Sequence, residues 1–191
     1  MTRYTTDGNE SEILQNLLGL TDQEAIHNAE FEGFLMAEII FTEQLSPQTR
    51  FTVKYIQSIH CMALKHLYQF AGKFRSVNMS KGGFVFPAAR FIAENMVRFE
   101  QEILSGLPDR YPNKKRLIKD IAIVHGELLF IHPFREGNGR TARILANLMA
   151  RKQGYPGLDF NRIDFEQYII AVQQVAKRDY TRMEQIISSA L

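Results

Sequence analysis

Residues 131–143 read Ile-His-Pro-Phe-Arg-Glu-Gly-Asn-Gly-Arg-Thr-Ala-Arg, setting an imidazole, a carboxylate, a Gly-Asn-Gly turn and two arginines between apolar segments. His132 has an imidazole that can take a proton near neutral pH. Glu136, the only carboxylate of the stretch, suits a magnesium ion whose other ligands are waters and phosphate oxygens. Gly137, Asn138 and Gly139 let the backbone curl so that successive N–H groups point into one anion cradle. The Asn138 amide is a further candidate donor. The turn falls where a helix is expected to begin, and a helix start exposes unpaired N–H groups and roughly half a positive charge. Arg140 and Arg143 stand at i and i+3 on one helical face, and a guanidinium fork matches phosphate oxygens. Base, magnesium anchor, anion nest and arginines are together the parts of transfer chemistry at phosphorus. The competing reading is a polar interhelix loop whose arginines pair with Glu136 and nearby acids.

These residues need two helices to hold them. Residues 116–130 are strongly apolar and helical, and Pro133 ends that helix because the residue before a proline disfavours helical backbone. A second helix is expected over 140–152, stopped by Gly154 and Pro156. Phe134 is expected to plug the core and pin the loop. Upstream, Thr21 reads as the N-cap of a helix to about residue 43, with Glu24 completing a capping box. Its inner face is expected to carry Ile26, Phe31, Phe34, Leu35, Ile39 and Ile40. Ser46-Pro47 opens a helix to about residue 69, with Val53, Ile56, Ile59, His60, Ala63, Leu64 and Leu67 inward. Residues 71–87 alternate and turn at Gly82-Gly83, which predicts a small β-hairpin with Phe84 and Phe86 on one side. Pro87 cannot donate a ladder bond, so that strand should end there. Further helices are expected over 88–105, 164–176 and 180–189. The fold class is all-α, carrying one β-hairpin.

Composition narrows the setting. The 191 residues suit one domain, read as a polar N-terminal arm over 1–20 and a single domain over 21–191. Lys and Arg total 23 against 21 Asp and Glu, a net charge of +2, which argues against broad nucleic-acid binding. No run approaches the roughly 20 apolar residues of a bilayer span, and no membrane association is expected. Cys61 is the only cysteine, so a reducing, cytoplasmic location is expected.

Beyond this chemistry, H-P-F-R-E-G-N-G-R-T-A-R resembles the signature of Fic-domain proteins, H-x-F-x-(D/E)-G-N-G-R-x-x-R, at every fixed position. I-H-C-M-A-L-K-H-L-Y-Q-F-A-G-K-F-R is similar to the family's upstream segment. S-K-G-G-F-V-F sits where the family has its target-docking hairpin, or flap, and the resemblance covers roughly residues 50–185. It implies an all-α core with that flap, and a protein adenylyltransferase that moves AMP from ATP to a Ser, Thr or Tyr hydroxyl of a target protein, releasing pyrophosphate. His132 would then be the general base and Glu136 the holder of magnesium bridging the α- and β-phosphates. Gly137, Asn138 and Gly139 would form the anion hole, with Asn138 on the α-phosphate. Arg140 would support the phosphates and Arg143 grip the γ-phosphate. Ser80, Lys81, Gly82, Gly83, Phe84, Val85 and Phe86 would align a target segment by strand addition. Members that phosphorylate carry lysine in place of the second glycine, so Gly139 favours AMP transfer. Transfer of UMP or phosphocholine, and a non-catalytic nucleotide- or partner-binding module, are the alternatives. A hydrolase using His125, His132 and Glu136 fits no common zinc spacing.

Many family members are restrained by (S/T)-x-x-x-E-(G/N), whose glutamate pairs with the second signature arginine. Residues 28–33, N-A-E-F-E-G, make Glu32 the candidate inhibitory residue, although Asn28 departs from the pattern. Thr6 and Glu10 have the spacing without the flanking residue. A separate antitoxin protein supplying that glutamate is the leading expectation. His125 reads as a packed histidine or a partner of the site, and His60 and His66 as structural. Lys81 reads equally as a target or nucleotide contact and as a solvated turn residue, and Arg75 and Lys73 as helpers near the site or surface ion pairs.

Overall fold

The computed structural model of the chain describes residues 5–6, 13–81 and 83–191. Among them are seven α-helices: α1 (Gln23–Glu43), α2 (Val53–Leu64), α3 (Ile92–Glu102), α4 (Lys114–Ile131), α5 (Asn138–Lys152), α6 (Phe165–Val175) and α7 (Thr181–Ala190). They also include three short strands, β1 (Thr5–Thr6), β2 (Met79–Lys81) and β3 (Phe84–Val85), in one antiparallel sheet of order β1-β2-β3. The all-α core with a β-hairpin is therefore present. No helix among the described residues is long and apolar enough to cross a membrane.

Side-chain caps set several helix starts, and they correct the expected boundaries. Asp22, not Thr21, caps α1, its Oδ2 accepting from Ala25 N at 2.8 Å. An ionised N-cap also complements the positive end of the helix. α2 begins at Val53 rather than at Ser46, because Thr52 is the residue whose hydroxyl accepts from Tyr55 N. Ser46 instead opens a local turn, donating its backbone N–H to Thr49 Oγ1. Asn113 caps α4 through Arg116 N, and Asp164 caps α6 through Glu166 N and Gln167 N.

α4 is the central helix, packed against α3, α5, α6 and α7. Leu117, Ile121, Ala122, Val124 and Leu128 from α4 meet Ala142, Leu145, Leu148 and Met149 from α5 in the core. The second layer is α1 on α2. Its inner face is Ile26, Glu30, Gly33, Phe34, Ala37 and Phe41, so Phe31, Leu35 and Ile39, expected inside, are exposed instead. The difference has a cause in packing. Gly33 brings the two helices so close that a Cβ there would lie 1.9 Å from Ala63 O, and this contact sets which face turns inward.

The hairpin pairs Ser80 with Val85 and Lys81 with Phe84. Of the expected arm over 1–20, Thr5–Thr6 pairs along the outer side of β2, while Ile13, Leu14 and Leu20 lie against the core and Leu17 N donates to Leu67 O at 2.9 Å. Gly82 and Glu10 lie outside the described residues.

Gly33→Ala should therefore lower stability by about 2 kcal/mol through overpacking, despite the better helix propensity of alanine. Thermal unfolding checks this, and an unchanged or higher midpoint would contradict the α1–α2 packing described.

Candidate active site

The loop between α4 and α5 is shaped first by its backbone. α4 cannot continue into Pro133, and His132 takes a left-handed conformation with φ of 54°, which costs a non-glycine residue about 1–2 kcal/mol. Several contacts offset that cost. Arg75, 5% exposed, donates through Nε to His132 O at 2.7 Å and through its backbone N–H to Pro133 O at 2.8 Å. Phe134 is fully buried with the His60 ring stacked on it, centroids 3.9 Å apart. The Asn138 side chain closes the loop, accepting from Phe134 N at 2.8 Å and donating to Phe134 O at 2.7 Å. Gly137, at φ 76°, approaches Phe34 so closely that a Cβ would lie 2.6 Å from the ring.

Two histidines are held in defined neutral forms. Gly72 N donates to His60 Nδ1 at 2.8 Å, so His60 Nε2 carries the proton and donates to Glu136 O at 2.9 Å. Burial lowers the His60 pKa to about 4. His132 Nδ1 lies 3.0 Å from Leu129 O. A carbonyl only accepts, so Nδ1 bears the hydrogen and Nε2 the lone pair. Burial lowers the His132 pKa to about 3; the Leu129 bond pulls it up, and the charges of Arg75 and Lys81 lower it further. The Phe86 ring, from the end of the hairpin, stacks on His132 at 3.8 Å.

Behind the loop, α5 offers an anion site. Its first intrahelical bond runs from Thr141 N to Gly137 O, so the N–H groups of Asn138, Gly139 and Arg140 lie in the unpaired first turn. Asn138 can contribute there only its backbone, because its amide is spent on Phe134. Glu136 Oε1 accepts from Gly137 N at 2.7 Å and sits 3.4 Å from Arg140 Nη2. No donor among the described residues reaches its Oε2, which leaves that oxygen for a cation. No cluster of three or more His, Cys, Asp or Glu able to hold a metal occurs among the described residues. The donor set fits an ion that takes most of its ligands from phosphate and water.

The two arginines stand differently. Arg140 Nη2 pairs with Glu30 Oε2 at 2.6 Å, and its guanidinium lies over the Phe34 ring, 4.5 Å from the centroid. Glu30 is 7% exposed and accepts from Tyr68 OH at 2.7 Å. Arg143 is exposed, donates to Gly139 O at 3.3 Å and makes no ion pair among the described residues. Glu32, the candidate inhibitory residue, is exposed on α1 and pairs with no cation among the described residues. The glycine that follows it, Gly33, is used for packing on Ala63.

The hairpin overhangs this site. Arg75 also donates to Val77 O and Pro87 O, both at 2.6 Å, tying the two ends of the hairpin to the loop. Ser80, Lys81 and Phe84 are half-buried, Gly83 and Val85 exposed, and Phe86 buried. Lys81 feels the Glu136 carboxylate, although burial lowers its pKa on balance. His125 is a packed core histidine. Its Nδ1 meets Ala142 O at 3.1 Å and its Nε2 Tyr168 OH at 2.5 Å, linking α4 to α5 and α6 in the core.

Glu30 and Tyr68 were missed from sequence, whereas Arg75, read as a helper near the site or a surface ion pair, is a buried clamp on the loop and the hairpin ends. One signal was available for Glu30, a carboxylate inside the stripe 26, 30, 33, 34, 37 and 41 that α1 buries.

His60, His125 and His132 all stay neutral in the fold well below their ordinary pKa of 6.5, whereas the unfolded chain protonates them. Stability is thus unaffected by these groups above pH 6.5 and falls as pH drops below it, by up to about 1.4 kcal/mol per pH unit for each. Denaturation midpoints from pH 7 to 5 test this, and a flat profile would contradict it. Nitrogen NMR should show the Nδ1–H tautomer at His132; Nε2–H there would contradict the geometry.

Comparison with known proteins identifies the family of the chain. Residues 50–150 match the model of the Fic/DOC family. A protein adenylyltransferase Fic of Drosophila willistoni is 30% identical over 145 residues, which cover 75% of this chain and 28% of that protein. The chain thus spans less than a third of the length of that relative. The N-terminal Fic domain of Bep8, a VirB-translocated effector of Bartonella sp. 1-1C, superposes with a TM-score of 0.78 at 19% identity, covering 96% of this chain and 93% of that one. BepC of Bartonella tribocorum, solved with bound AMPPNP, superposes with a TM-score of 0.75 at 19% identity over 96% of this chain and 94% of its own. The chain is a member of the Fic/DOC family.

Proposed function

We propose that the chain is a protein adenylyltransferase domain that transfers AMP from magnesium-bound ATP to a Ser, Thr or Tyr hydroxyl of a target protein. The observation that carries this reading is the pairing of a buried histidine held as the Nδ1–H tautomer by Leu129 O and a helix start rich in unpaired N–H groups, six residues apart on one pinned loop. Relatives named protein adenylyltransferases and an AMPPNP-bound fold relative support the same reading.

In this mechanism His132 Nε2 accepts the proton of the target hydroxyl. The hydroxyl oxygen bonds to the α-phosphorus, the bond from that phosphorus to the oxygen bridging to the β-phosphate breaks, and pyrophosphate leaves with the electron pair. The first-turn N–H groups of α5 receive the charge that grows on the α-phosphate oxygens. Arg140 is held by Glu30 and Phe34 before substrate arrives, so little ordering is left for it when phosphate binds. Arg143, without a carboxylate, is suited to the outer phosphates. Glu136 would hold magnesium, which when bound neutralises charge between neighbouring phosphates. The hairpin receives the target segment. Gly139 leaves the helix start open, with Arg143 Nη2 at 4.0 Å the nearest atom a Cβ would meet.

A separate antitoxin carrying the inhibitory carboxylate fits the exposed Arg143 better than Glu32 does, since neither residue pairs with the other in the fold. Cys61, half-buried and single, suits a reducing cytoplasm.

His132→Ala should reduce transfer by roughly 10²–10⁴-fold. Intact-mass spectrometry after incubation with magnesium and each nucleotide names the group moved, and an AMP increment on target or chain is expected. An increment for UMP or phosphocholine alone, or equal labelling by His132→Ala, would contradict the reading. The pKa of a base held near 3 is poorly matched to neutral pH. Nucleotide phosphates raise it by opposing Arg75 and Lys81. The acid limb of kcat should therefore lie at higher pH than that of kcat/KM; coincident limbs would show no such shift.

A further inference from the structure

We infer that the outer edge of β2 is a strand-docking site and that the chain's own N-terminal strand occupies it, so an incoming target segment gains this edge by displacing Thr5–Thr6. The inference rests on the proposed role of the hairpin in receiving targets.

The hairpin has two edges, and they are not equivalent. On the β3 side the strand stops at Val85, and Pro87 has no N–H to offer a partner. Arg75 holds Pro87 O, and Asn78 Oδ1 accepts from Ala89 N at 2.9 Å, so the chain leaving β3 is tied back to the start of the hairpin. On the β2 side the alternation of an antiparallel ladder decides which groups face outward. Phe86 N donates to Met79 O at 3.1 Å, so Met79 faces β3 and Ser80 faces away from it. Ser80 is the residue opposite Thr5, and Met79 is opposite Thr6. The backbone groups that a docking strand needs are thus the ones β1 takes.

The occupant suits the edge. Two consecutive β-branched threonines favour extended backbone. A two-residue strand makes few ladder bonds, so it is readily exchanged. Its covalent attachment to the same chain keeps it at a higher local concentration than a free peptide would have. The pairing thereby acts as a competitor: a target must bring an extended segment of its own plus contacts β1 lacks. This selects for partners with longer β-forming segments around the modified hydroxyl.

The double substitution Thr5→Pro/Thr6→Pro removes both backbone donors of β1 without altering the loop that carries His132. Amide hydrogen exchange should show loss of protection at Ser80 in the variant, with Lys81, which faces β3, unchanged. A synthetic peptide of residues 1–12, added to a chain lacking them, should restore Ser80 protection; the same peptide with both prolines should not. Labelling of lysate proteins from ATP should rise about threefold or more in the proline variant and fall when the peptide is added. Equal Ser80 exchange in both chains, or peptide binding away from β2, would overturn the inference. If Ser80 protection behaves as expected while neither chain transfers AMP, the docking edge stands and the transferase reading falls.

Discussion

The left-handed backbone at His132 is the constraint on which the site depends. It turns the chain out of α4, the core helix, and into the loop that starts α5. It also sets the imidazole at the bend with one nitrogen tied to Leu129 O. A β-substituted residue does not adopt that conformation unaided. Its neighbours over-determine it: the Arg75 guanidinium on the His132 carbonyl, Phe134 locked under His60, and the Asn138 amide closing on Phe134. The same contacts that relieve strain also fix the backbone turn that opens α5, so the fold supplies organisation before any ligand binds.

Charge is distributed in a way that divides the work. Arg140 is neutralised by a buried glutamate and stacked on an aromatic ring, which fixes its position. Arg143 has no such partner among the described residues and keeps its full attraction for an anion. His60 and His132 are held neutral by burial, one spending both nitrogens on backbone and the other only one. The difference in hydrogen bonding, more than the difference in burial, separates the positioning histidine from the candidate base. Arg75 reaches the hairpin ends and the loop with one guanidinium, so the roof of the site is tied to its floor.

Much of this was legible in the sequence where the determinants are local. The loop from His132 to Arg143 announces itself because its chemistry and its turn residues are contiguous. The hairpin follows from alternation around Gly82-Gly83, and α4 and α5 from apolar periodicity with Pro133 between them. What stayed hidden depends on partners distant in the chain. Glu30 reads as a surface acid until Tyr68 and Arg140 are placed beside it, 38 and 110 residues away. Phe31, Leu35 and Ile39 read as core until the close approach at Gly33 turns α1. The Asn138 amide looks like an anion donor until Phe134 claims it. A two-residue strand of threonines has no alternation to detect, and only the register with Ser80 gives it meaning.

The most direct measurement is a crystal structure of the chain with magnesium and a non-hydrolysable ATP analogue. The expected result is the α-phosphate on the backbone N–H groups that open α5, the outer phosphates on Arg143, and His132 Nε2 facing the phosphorus with its Nδ1 still on Leu129 O. Nucleotide seated elsewhere, or a loop that has to lose the Asn138–Phe134 bonds to admit it, would contradict a cradle formed in advance.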